Sequence, residues 1–584
     1  MLKKVFWLLK KANSWIFFLI LIGSISWSIP LVKSGILHDY GIGFWGPNGH
    51  DGVWHISLIN SLADGSFGMP IFAGEKLTNY HIGFDLLVAF MVRITSISAT
   101  TLYFQIVPPV LAILIGVLTY KFVFLWQKDK AKAYWSVFFV YFGGSLGWVT
   151  TLLRDGTLGG ESMFWSQQAV STLVNPPFTL SLIFILAGLI FLIKYKNHRN
   201  SHFMILVSLF FGSLIQIKAH AGVLAIGGLL TVLLWQSLSK RKNTTLLRRG
   251  VVLKVLSGTI LLSLVLFLPL NSGSSSLLVW QPFWFLETMM GLTDRLGWIR
   301  FHSAMTTYKM GGIWWKAIPA YIIAFLIFWY GNLGTRLLSE FWIAKKIVHK
   351  KLGDIEIFIL SIICAGVVIP LFFVMEGTPW NTIQFFYYSL FFLSILAGIA
   401  FVEISRKLKL QKTIKIRLIE IALILLTIPT TYATLKNDYL PARPPAKLSV
   451  AEIEALTFLE SQPDGVVLTY PFDEYAAKEA IKNPPRPLYL YESTAYVSAF
   501  SGKPVHVEDE VNLNITGYDW KTRRKNVMKF LGTLDEKEAR DFLVENSISY
   551  IYWVKPQRAK LGESQLGLAR IFENEEVDIY SVIK

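Results

Sequence analysis

The segment HDGVWHISLINSLADGSFGMPIFAGEKLTNYHIGFDLL, residues 50–87, lies between long apolar stretches of the chain. Asp51 directly follows Gly49-His50, and the apolar residues after it recur with the spacing of one helix face. The pattern predicts a helix that begins at Asp51, where the helix dipole favours a carboxylate. Two interpretations stay open: Asp51 starts a surface-lying amphipathic helix, or it presents its carboxylate to a substrate.

The composition around this segment is that of a membrane protein. The 584 residues are 53% hydrophobic and only 16% charged, with a mean hydropathy of +0.47. Soluble globular chains carry about 25% charged residues, so this chain has too little polar surface to stay in water. The single cysteine, Cys364, excludes a disulfide framework and Cys-based metal sites.

The apolar stretches predict a polytopic α-helical membrane protein. The first, WIFFLILIGSISWSIPLV (15–32), is long enough to span about 30 Å of hydrocarbon and is expected to be a retained anchor. Residues 81–98 are also apolar but conflict with the charge pattern, so eleven and twelve crossings both stay open. The other ten predicted crossings are 103–126, 134–153, 176–193, 203–217, 220–236, 251–269, 317–332, 355–374, 382–402 and 417–434.

The distribution of charge argues against nucleic-acid binding and predicts the topology. Residues 441–584 carry 18 Lys and Arg against 22 Asp and Glu, a net charge of −4, so residues 1–440 hold a net +21. This positive charge occurs in short clusters between apolar runs, which is typical of cytoplasmic loops. We therefore expect a multi-pass protein of the cell (plasma) membrane with a cytoplasmic N-terminus and an extracytoplasmic C-terminus.

The chain after the Pro-rich linker PARPPAK (441–447) has the pattern of a soluble α/β domain. Residues 449–461, 520–532 and 535–547 are predicted as helices, and 465–470, 548–554, 568–574 and 577–583 as strands. The acidic run Glu508-Asp509-Glu510 is expected to be solvated. We therefore divide the chain into a membrane domain, 1–440, with an external loop at 33–80, and an external domain, 441–584, that binds or orients an acceptor without chemistry.

Polar residues at the ends of predicted spans are further candidates for substrate binding. Arg295 and Arg300 follow WQPFWFLETMMGLTD (280–294), and their guanidinium groups suit a phosphate or lipid head groups. The remaining candidates either interrupt spans or begin one, where span capping is an equal alternative; they are Lys218, His220, Glu376, Asn381 and Gln384.

The histidines near Asp51 raise the alternative of a metal site. His50, Asp51, His55 and His81 are residue types that bind metal ions, but their spacing matches no specific metal motif. We therefore predict no metal centre and no cofactor, and leave a divalent cation open.

The order of these features resembles the GT-C class of integral-membrane glycosyltransferases, and most closely the protein-mannosyl and lipid A aminoarabinose transferases. The resemblance rests on the first span, on residues 50–87 and on LYFQIVPPVLAILIGVLTYKFVFLW (102–126), and it covers about residues 10–130. It implies inverting transfer of a sugar from a polyprenyl-phosphate donor to a lipid, glycan or protein acceptor on the outer face. Asp51 would be the catalytic base, with His50, Tyr80 and His81 beside the substrate.

The sequence departs from that family at two points. Many members carry a second acid beside the first, whereas Asp51 is followed by Gly52. Several carry a basic residue before a proline at the end of the loop, where this chain has NYHIG (79–83). A transporter or flippase for a lipid-linked saccharide is the main alternative function, although no internal repeat supports it. A non-catalytic envelope-assembly protein with the same fold is the third.

Overall fold

The computed structural model describes residues 14–238, 248–271, 278–375, 379–408 and 414–583, and it divides into two compact units. The membrane unit comprises Met1–Pro30, Pro109–Pro269 and Ser275–Leu440. The α/β unit comprises Leu31–Pro108, Leu270–Ser274 and Pro441–Lys584. The loop after the first span therefore belongs to the same compact body as the C-terminal chain.

The membrane unit is built from helices, with one two-stranded sheet of Leu278–Trp280 and Phe373–Met375. Its helices are Ser14–Val32, Val107–Gln127, Lys130–Phe142, Gly147–Asp155, Pro176–His198, His202–Ile217, Ala219–Leu238, Arg249–Phe267, Trp284–Gly291, Ile299–Met310, Trp314–Leu333, Leu338–Val348, Asp354–Phe372, Pro379–Lys407, Ile414–Thr427 and Pro429–Thr434.

The helices have the length and hydropathy of a multi-pass membrane protein. Among the described residues, nine helices are long and apolar enough to cross a bilayer, and the pair Lys130–Phe142 and Gly147–Asp155, bent by 42°, raises the number to ten. The predicted crossing at 203–217 is the 16-residue helix His202–Ile217. In the ambiguous segment 81–98, the helix Gly83–Thr95 has 13 residues. It is about 20 Å long, which is short of the hydrocarbon thickness.

The helix Pro379–Lys407 lies at the centre of the membrane unit, with 94% of its most apolar window buried. It packs closely on the helix Lys130–Phe142 because both present small residues at the contact. Ser136 donates a hydrogen bond from Oγ to the carbonyl oxygen of Ile395 (2.8 Å). A Cβ atom built on Gly398 would lie 2.2 Å from the backbone nitrogen of Ser136. Close approach at small residues is the usual way in which helices associate in lipid.

We expect Gly398→Ala to lower the melting temperature of the detergent-solubilised protein, because the added methyl group meets backbone that cannot move aside. Overpacking of this kind costs about 1–3 kcal/mol of unfolding free energy. Gly227→Ala is the matched control, since a Cβ there meets no described atom within 4 Å. A thermal-shift assay that gave the same melting temperature for both variants would contradict the close helix contact.

Charged residues from three separate parts of the sequence meet at one end of this central helix. Glu403 accepts from the Nζ atoms of Lys132 and Lys345, each at 2.7 Å. Arg406 pairs with Asp129. The charge pattern predicts that all five residues lie on the cytoplasmic side, and the structure places them together.

The α/β unit contains a small sheet that joins the first loop to the C-terminal chain. Its strands are ordered Leu37–His38, Gly41–Phe44, Ala446–Leu448 and Arg486–Pro487, and the last pair is parallel. Gly41 has φ +106, and a Cβ there would lie 2.0 Å from the carbonyl oxygen of Leu448, so this position needs glycine. Backbone pairing across this sheet makes the loop and the C-terminal chain one unit.

The second sheet has the order Val466–Thr469, Ile548–Val554, Val577–Val582 and Leu568–Glu573, with only the first pair parallel. The four predicted strands of the C-terminal chain are these four. The three predicted helices are also confirmed, as Val450–Glu460, Trp520–Gly532 and Glu536–Glu545. The remaining helices of the unit are Asp51–Ala63, Gly83–Thr95, Ala99–Thr101, Glu474–Ala480, Tyr496–Ser501, Glu510–Thr516 and Glu563–Leu566.

The helix Asp51–Ala63, which we call the loop helix, begins at Asp51 as predicted. Its interpretation as a surface-lying amphipathic helix is wrong, because its residues are buried on all sides. Asn60 donates from Nδ2 to the carbonyl oxygen of Ala499 (2.9 Å), and Ser57 hydrogen bonds to Ser498 (2.6 Å). The helix Tyr496–Ser501 thus covers the side that the sequence pattern assigns to solvent.

Candidate active site

His50 connects two carboxylates that are 458 positions apart in the sequence. Its Nδ1 atom lies 3.0 Å from Oδ1 of Asp51, and its Nε2 atom lies 3.3 Å from Oδ1 of Asp509. The side chain of His50 is 7% exposed and that of Asp509 is fully buried, whereas that of Asp51 is 47% exposed. Of the three groups, Asp51 is therefore the one that an incoming substrate can reach.

Asp509 is a site residue that no sequence pattern indicates. The run Glu508-Asp509-Glu510 was expected to be solvated, and this is wrong, because Glu508 and Asp509 are 8% and 1% exposed. Glu508 accepts hydrogen bonds from the backbone amides of Val497 (2.8 Å) and Ser498 (3.2 Å). Glu510 pairs with Arg524. Each acid has a specific partner, and only the positions of those partners in the fold distinguish this run from a solvated one.

The electrostatics around His50 favour its charged form. Burial by itself would lower the pKa of His50, but the carboxylates of Asp509 and Asp51 together raise it well above its usual value. Glu492 belongs to the same surroundings. Burial raises the pKa of Glu492, the charges of Asp51 and Asp509 raise it further, and His50 opposes them.

The next turn of the loop helix carries His55, which pairs with a carboxylate of the helix Gly83–Thr95. His55 Nδ1 lies 2.7 Å from Asp85 Oδ1, and both side chains are buried. The imidazole ring of His55 stacks on Tyr103, with 5.4 Å between ring centroids. His81 stacks on Tyr80 at 4.6 Å, and Tyr80 meets the edge of Trp54 at 5.4 Å. Tyr80 and His81 thus belong to the aromatic layer beside the loop helix.

The histidines and Asp51 do not assemble into a metal centre. Within the described ranges, no group of three or more His, Cys, Asp or Glu side chains has a metal-binding arrangement. His50 is engaged with Asp51 and Asp509, while His55 is engaged with Asp85. These contacts place His50 and His55, two of the three histidines considered as possible ligands, in separate hydrogen-bonded groups.

In the membrane unit, Arg295 is held between two indole rings. Its guanidinium carbon lies 5.2 Å from the ring centroid of Trp165 and 4.8 Å from that of Trp380. Nη1 donates to Ser162 Oγ (2.9 Å), while the buried Nε atom has no hydrogen-bond partner among the described residues. Arg295 is 8% exposed, so the flat stacking faces hold a buried cation with an unused donor.

Arg300, which the sequence pairs with Arg295, lies in a different environment. It is exposed on the helix Ile299–Met310. Two acids lie near Arg295: Oδ2 of Asp294 is 3.7 Å from its Nη2, and Glu161 is the second, a carboxyl whose pKa burial raises to about 7. A carboxyl of that pKa is partly neutral at neutral pH, so it offsets little of the charge on Arg295.

Three of the candidates at the ends of spans come together in the membrane unit. His220 donates from Nε2 to the carbonyl oxygen of Asn381 (3.0 Å), and Gln384 donates from Nε2 to Oδ1 of Asn381 (3.0 Å). Lys218 lies two residues before His220, is 5% exposed, and occupies the break between the helices His202–Ile217 and Ala219–Leu238. Glu376 lies outside the described residues.

Solved structures of known proteins have a fold similar to that of this chain. No family model and no curated protein match the sequence. Among solved structures, the Archaeoglobus fulgidus oligosaccharyltransferase tethered to an acceptor peptide matches with a TM-score of 0.52 and 12% identity, over 93% of this chain and 69% of that one. Its apo form gives 0.51 and 13% over 93% and 70%, and its complex with Zn and sulfate gives 0.50 and 12% over 92% and 68%.

These similarities confirm the predicted fold class. The matching enzyme is a GT-C glycosyltransferase, and the likeness extends over nearly the whole of this chain. The protein is thus a multi-pass membrane protein with the GT-C fold and a sheet-containing C-terminal region. At 12–13% identity the likeness concerns the fold alone.

Proposed function

We propose that this protein is a membrane glycosyltransferase that moves a sugar from a polyprenyl-phosphate donor to an acceptor hydroxyl. The observation that carries the proposal is Asp51, a half-exposed carboxylate that is oriented by a buried histidine at the start of a buried helix. A carboxylate in such surroundings suits a general base for transfer. The GT-C fold supports the same reaction class.

The proposed reaction needs one base and one leaving group. The acceptor oxygen attacks the anomeric carbon as its proton passes to Asp51. The bond between that carbon and the phosphate oxygen breaks, and its electron pair leaves with the lipid phosphate. One displacement inverts the anomeric configuration. No second protein acid is required, because the phosphate leaves as a stable anion, in contrast to glycosidases with their paired carboxyl groups.

We assign the donor phosphate to Arg295. A guanidinium group forms charge-assisted hydrogen bonds with phosphate oxygens, and the buried Nε of Arg295 has a donor to offer. The two indole rings fix the plane of the guanidinium group, so little side-chain entropy is lost when an anion binds. The polar cluster of His220, Asn381 and Gln384 is the proposed sugar contact, with Lys218 as a second cation.

The function is tested by mass spectrometry of the lipid-linked intermediates in a deletion strain. Accumulation of a polyprenyl-phosphate sugar is expected and would also identify the donor. Retention of a lipid-linked saccharide on the cytoplasmic leaflet would instead support the flippase alternative and contradict the proposal.

The proposed topology places the α/β unit and Asp51 on the outer side of the membrane. We expect a protease site fused after Lys584 to be cut from outside, and one inserted near Lys242 to be cut only after the membrane is opened. The same insertion near Lys242 serves as the sidedness control. A C-terminal site that is accessible only from the cytoplasm would also remove Asp51 from the outer face.

A further inference from the structure

We infer that Asp509 is a positioning residue for the proposed transfer, which acts through His50 to hold the carboxylate of Asp51. The inference rests on the proposed function and adds to it a residue from the C-terminal chain. It starts from three groups in contact: Asp51 at 3.0 Å from one ring nitrogen of His50, and Asp509 at 3.3 Å from the other.

The hydrogen-bond chemistry of these groups determines the state of His50. Ionised carboxylates only accept hydrogen bonds, whereas a neutral imidazole donates from only one of its nitrogens. His50 can therefore donate to Asp51 and Asp509 at the same time only as an imidazolium. In this state the ring is held at both ends, and its Nδ1–H fixes the direction of the Asp51 carboxylate.

Because Asp509 is buried, the charged state of His50 depends on the charge of the Asp509 carboxylate. A fully buried carboxylate is stabilised only by the partners that it has in the fold. Those partners are His50, the backbone amide of Asn512 (3.0 Å) and the side-chain amide of Asn512 (2.8 Å). Of these, His50 is the only group that can carry a compensating positive charge. Removal of the charge on Asp509 should therefore affect the protonation of His50 more than that of any other group.

The backbone of Asp509 is also strained, with φ +50 in the left-handed region. Asp tolerates that region better than most residues, but the conformation is uncommon and must be held by its surroundings. Strained residues concentrate at functional sites, where the fold holds them in place. Here the conformation directs a buried carboxylate to the histidine that touches Asp51.

Other charged groups near His50 also affect its protonation, but they do not take over the role of Asp509 as its buried hydrogen-bond partner. Glu492 lies on the segment that packs over the start of the loop helix, where Thr494 donates to the carbonyl oxygen of Gly49 (3.1 Å). Arg486 opposes the charge of Glu492. Glu510 is neutralised by Arg524. Glu508 interacts electrostatically with Asp509, and the phenols of Tyr80, Tyr103 and Tyr491 interact with Asp51.

The first test measures the protonation of His50 directly in the full-length protein. Hydrogen–deuterium exchange at the imidazole C2 position, followed by mass spectrometry of the His50 peptide across pH, gives its titration midpoint. We expect Asp509→Asn to move that midpoint to lower pH, because the amide keeps the shape but not the charge. An unchanged midpoint would overturn the inference.

The second test is the pH dependence of transfer. In the Asp509→Asn protein we expect kcat to fall about 10- to 100-fold at neutral pH with little change in KM, since misplacement of a reacting group has effects of this size. The loss should diminish as the pH is lowered and His50 regains its proton. A purely structural role would instead lower activity by the same factor at every pH.

Two further variants keep the result interpretable. Asp519→Asn is the matched control, because Asp519 caps a neighbouring helix through the backbone amide of Thr522 (3.2 Å) but is exposed. It should leave the midpoint and kcat unchanged. In a His50→Gln background, Asp509→Asn should cost little more, since residues that act as one unit are not additive. Full additivity would overturn the inference.

The failure of this inference and that of the proposed function give different results. If Asp51→Asn keeps near-normal transfer, the proposed base is wrong, whatever Asp509→Asn does to the His50 midpoint. If Asp51→Asn abolishes transfer while Asp509→Asn changes neither the midpoint nor the pH profile, the base stands and the positioning role of Asp509 is wrong.

Discussion

Transfer by an Asp51→Asn protein is expected to be roughly 100-fold slower or worse, which is the size of contribution that general-base catalysis makes. Asn keeps the volume of Asp51 and an amide oxygen that still accepts from His50 Nδ1, so the local hydrogen bond survives. Asn also starts a helix about as well as Asp. The measurement is the initial rate of sugar transfer from a polyprenyl-phosphate donor, with the melting temperature recorded on the same preparation.

Two acids of the same external loop are the controls for Asp51. Asp39 and Asp64 are both exposed, so Asp39→Asn and Asp64→Asn should retain most activity. The metal alternative also makes a distinct prediction. Only if a cation is bound should chelators inhibit transfer, because His50→Ala is expected to lower activity with or without a metal. A well-folded Asp51→Asn protein with near-normal transfer would eliminate Asp51 as the base.

Replacing Arg295 by Gln is expected to raise the KM for the lipid donor by about 10- to 100-fold, because a hydrogen bond to a charged group contributes about 1.5–3 kcal/mol. Gln keeps a donor near Ser162 but loses the charge and the stacking on Trp165 and Trp380. The measurement is a donor titration at saturating acceptor, so that binding is separated from the chemical step.

Arg300→Gln is the matched control, since it removes an equal charge from an exposed position five residues away. Arg295→Lys keeps the charge without the planar fork and should recover only part of the donor affinity. If Arg295→Gln lowered the melting temperature but left the KM for the donor unchanged, Arg295 would be a structural cation of the aromatic cluster.

The membrane unit shows which structural elements can be predicted from local sequence. Each of the eleven predicted crossings overlaps helical residues, because a span satisfies its backbone hydrogen bonds within its own segment and is therefore visible in a short window. The crossing 134–153 is divided between the helices Lys130–Phe142 and Gly147–Asp155. Four of the six strands of the C-terminal chain were equally visible, since alternation and turn residues are local. Pairing of Gly41–Phe44 with Ala446–Leu448 was not, because neither strand carries a signal for its distant partner.

The candidate site likewise contains residues that local sequence indicates and residues that it does not. His50 and Asp51 stand out because they begin a helix after a span, a feature of neighbouring residues. Asp509 did not, because an acidic run in a polar segment looks the same whether it is solvated or buried. The direct contact between His220 and Asn381 likewise joins two spans that the sequence treats separately.

The family resemblance suggested Asp51 as the candidate base. The sequence by itself determined the membrane class, the positions of the apolar helices and four of the six strands of the C-terminal chain. These depend on hydropathy, periodicity and local order, which act over about twenty residues. Only the tertiary structure decided that the loop helix is buried, that Arg295 lies between two tryptophans, and that Asp509 reaches His50. Each of these is a contact between distant segments, and its free energy arises only when folding removes both partners from solvent or lipid.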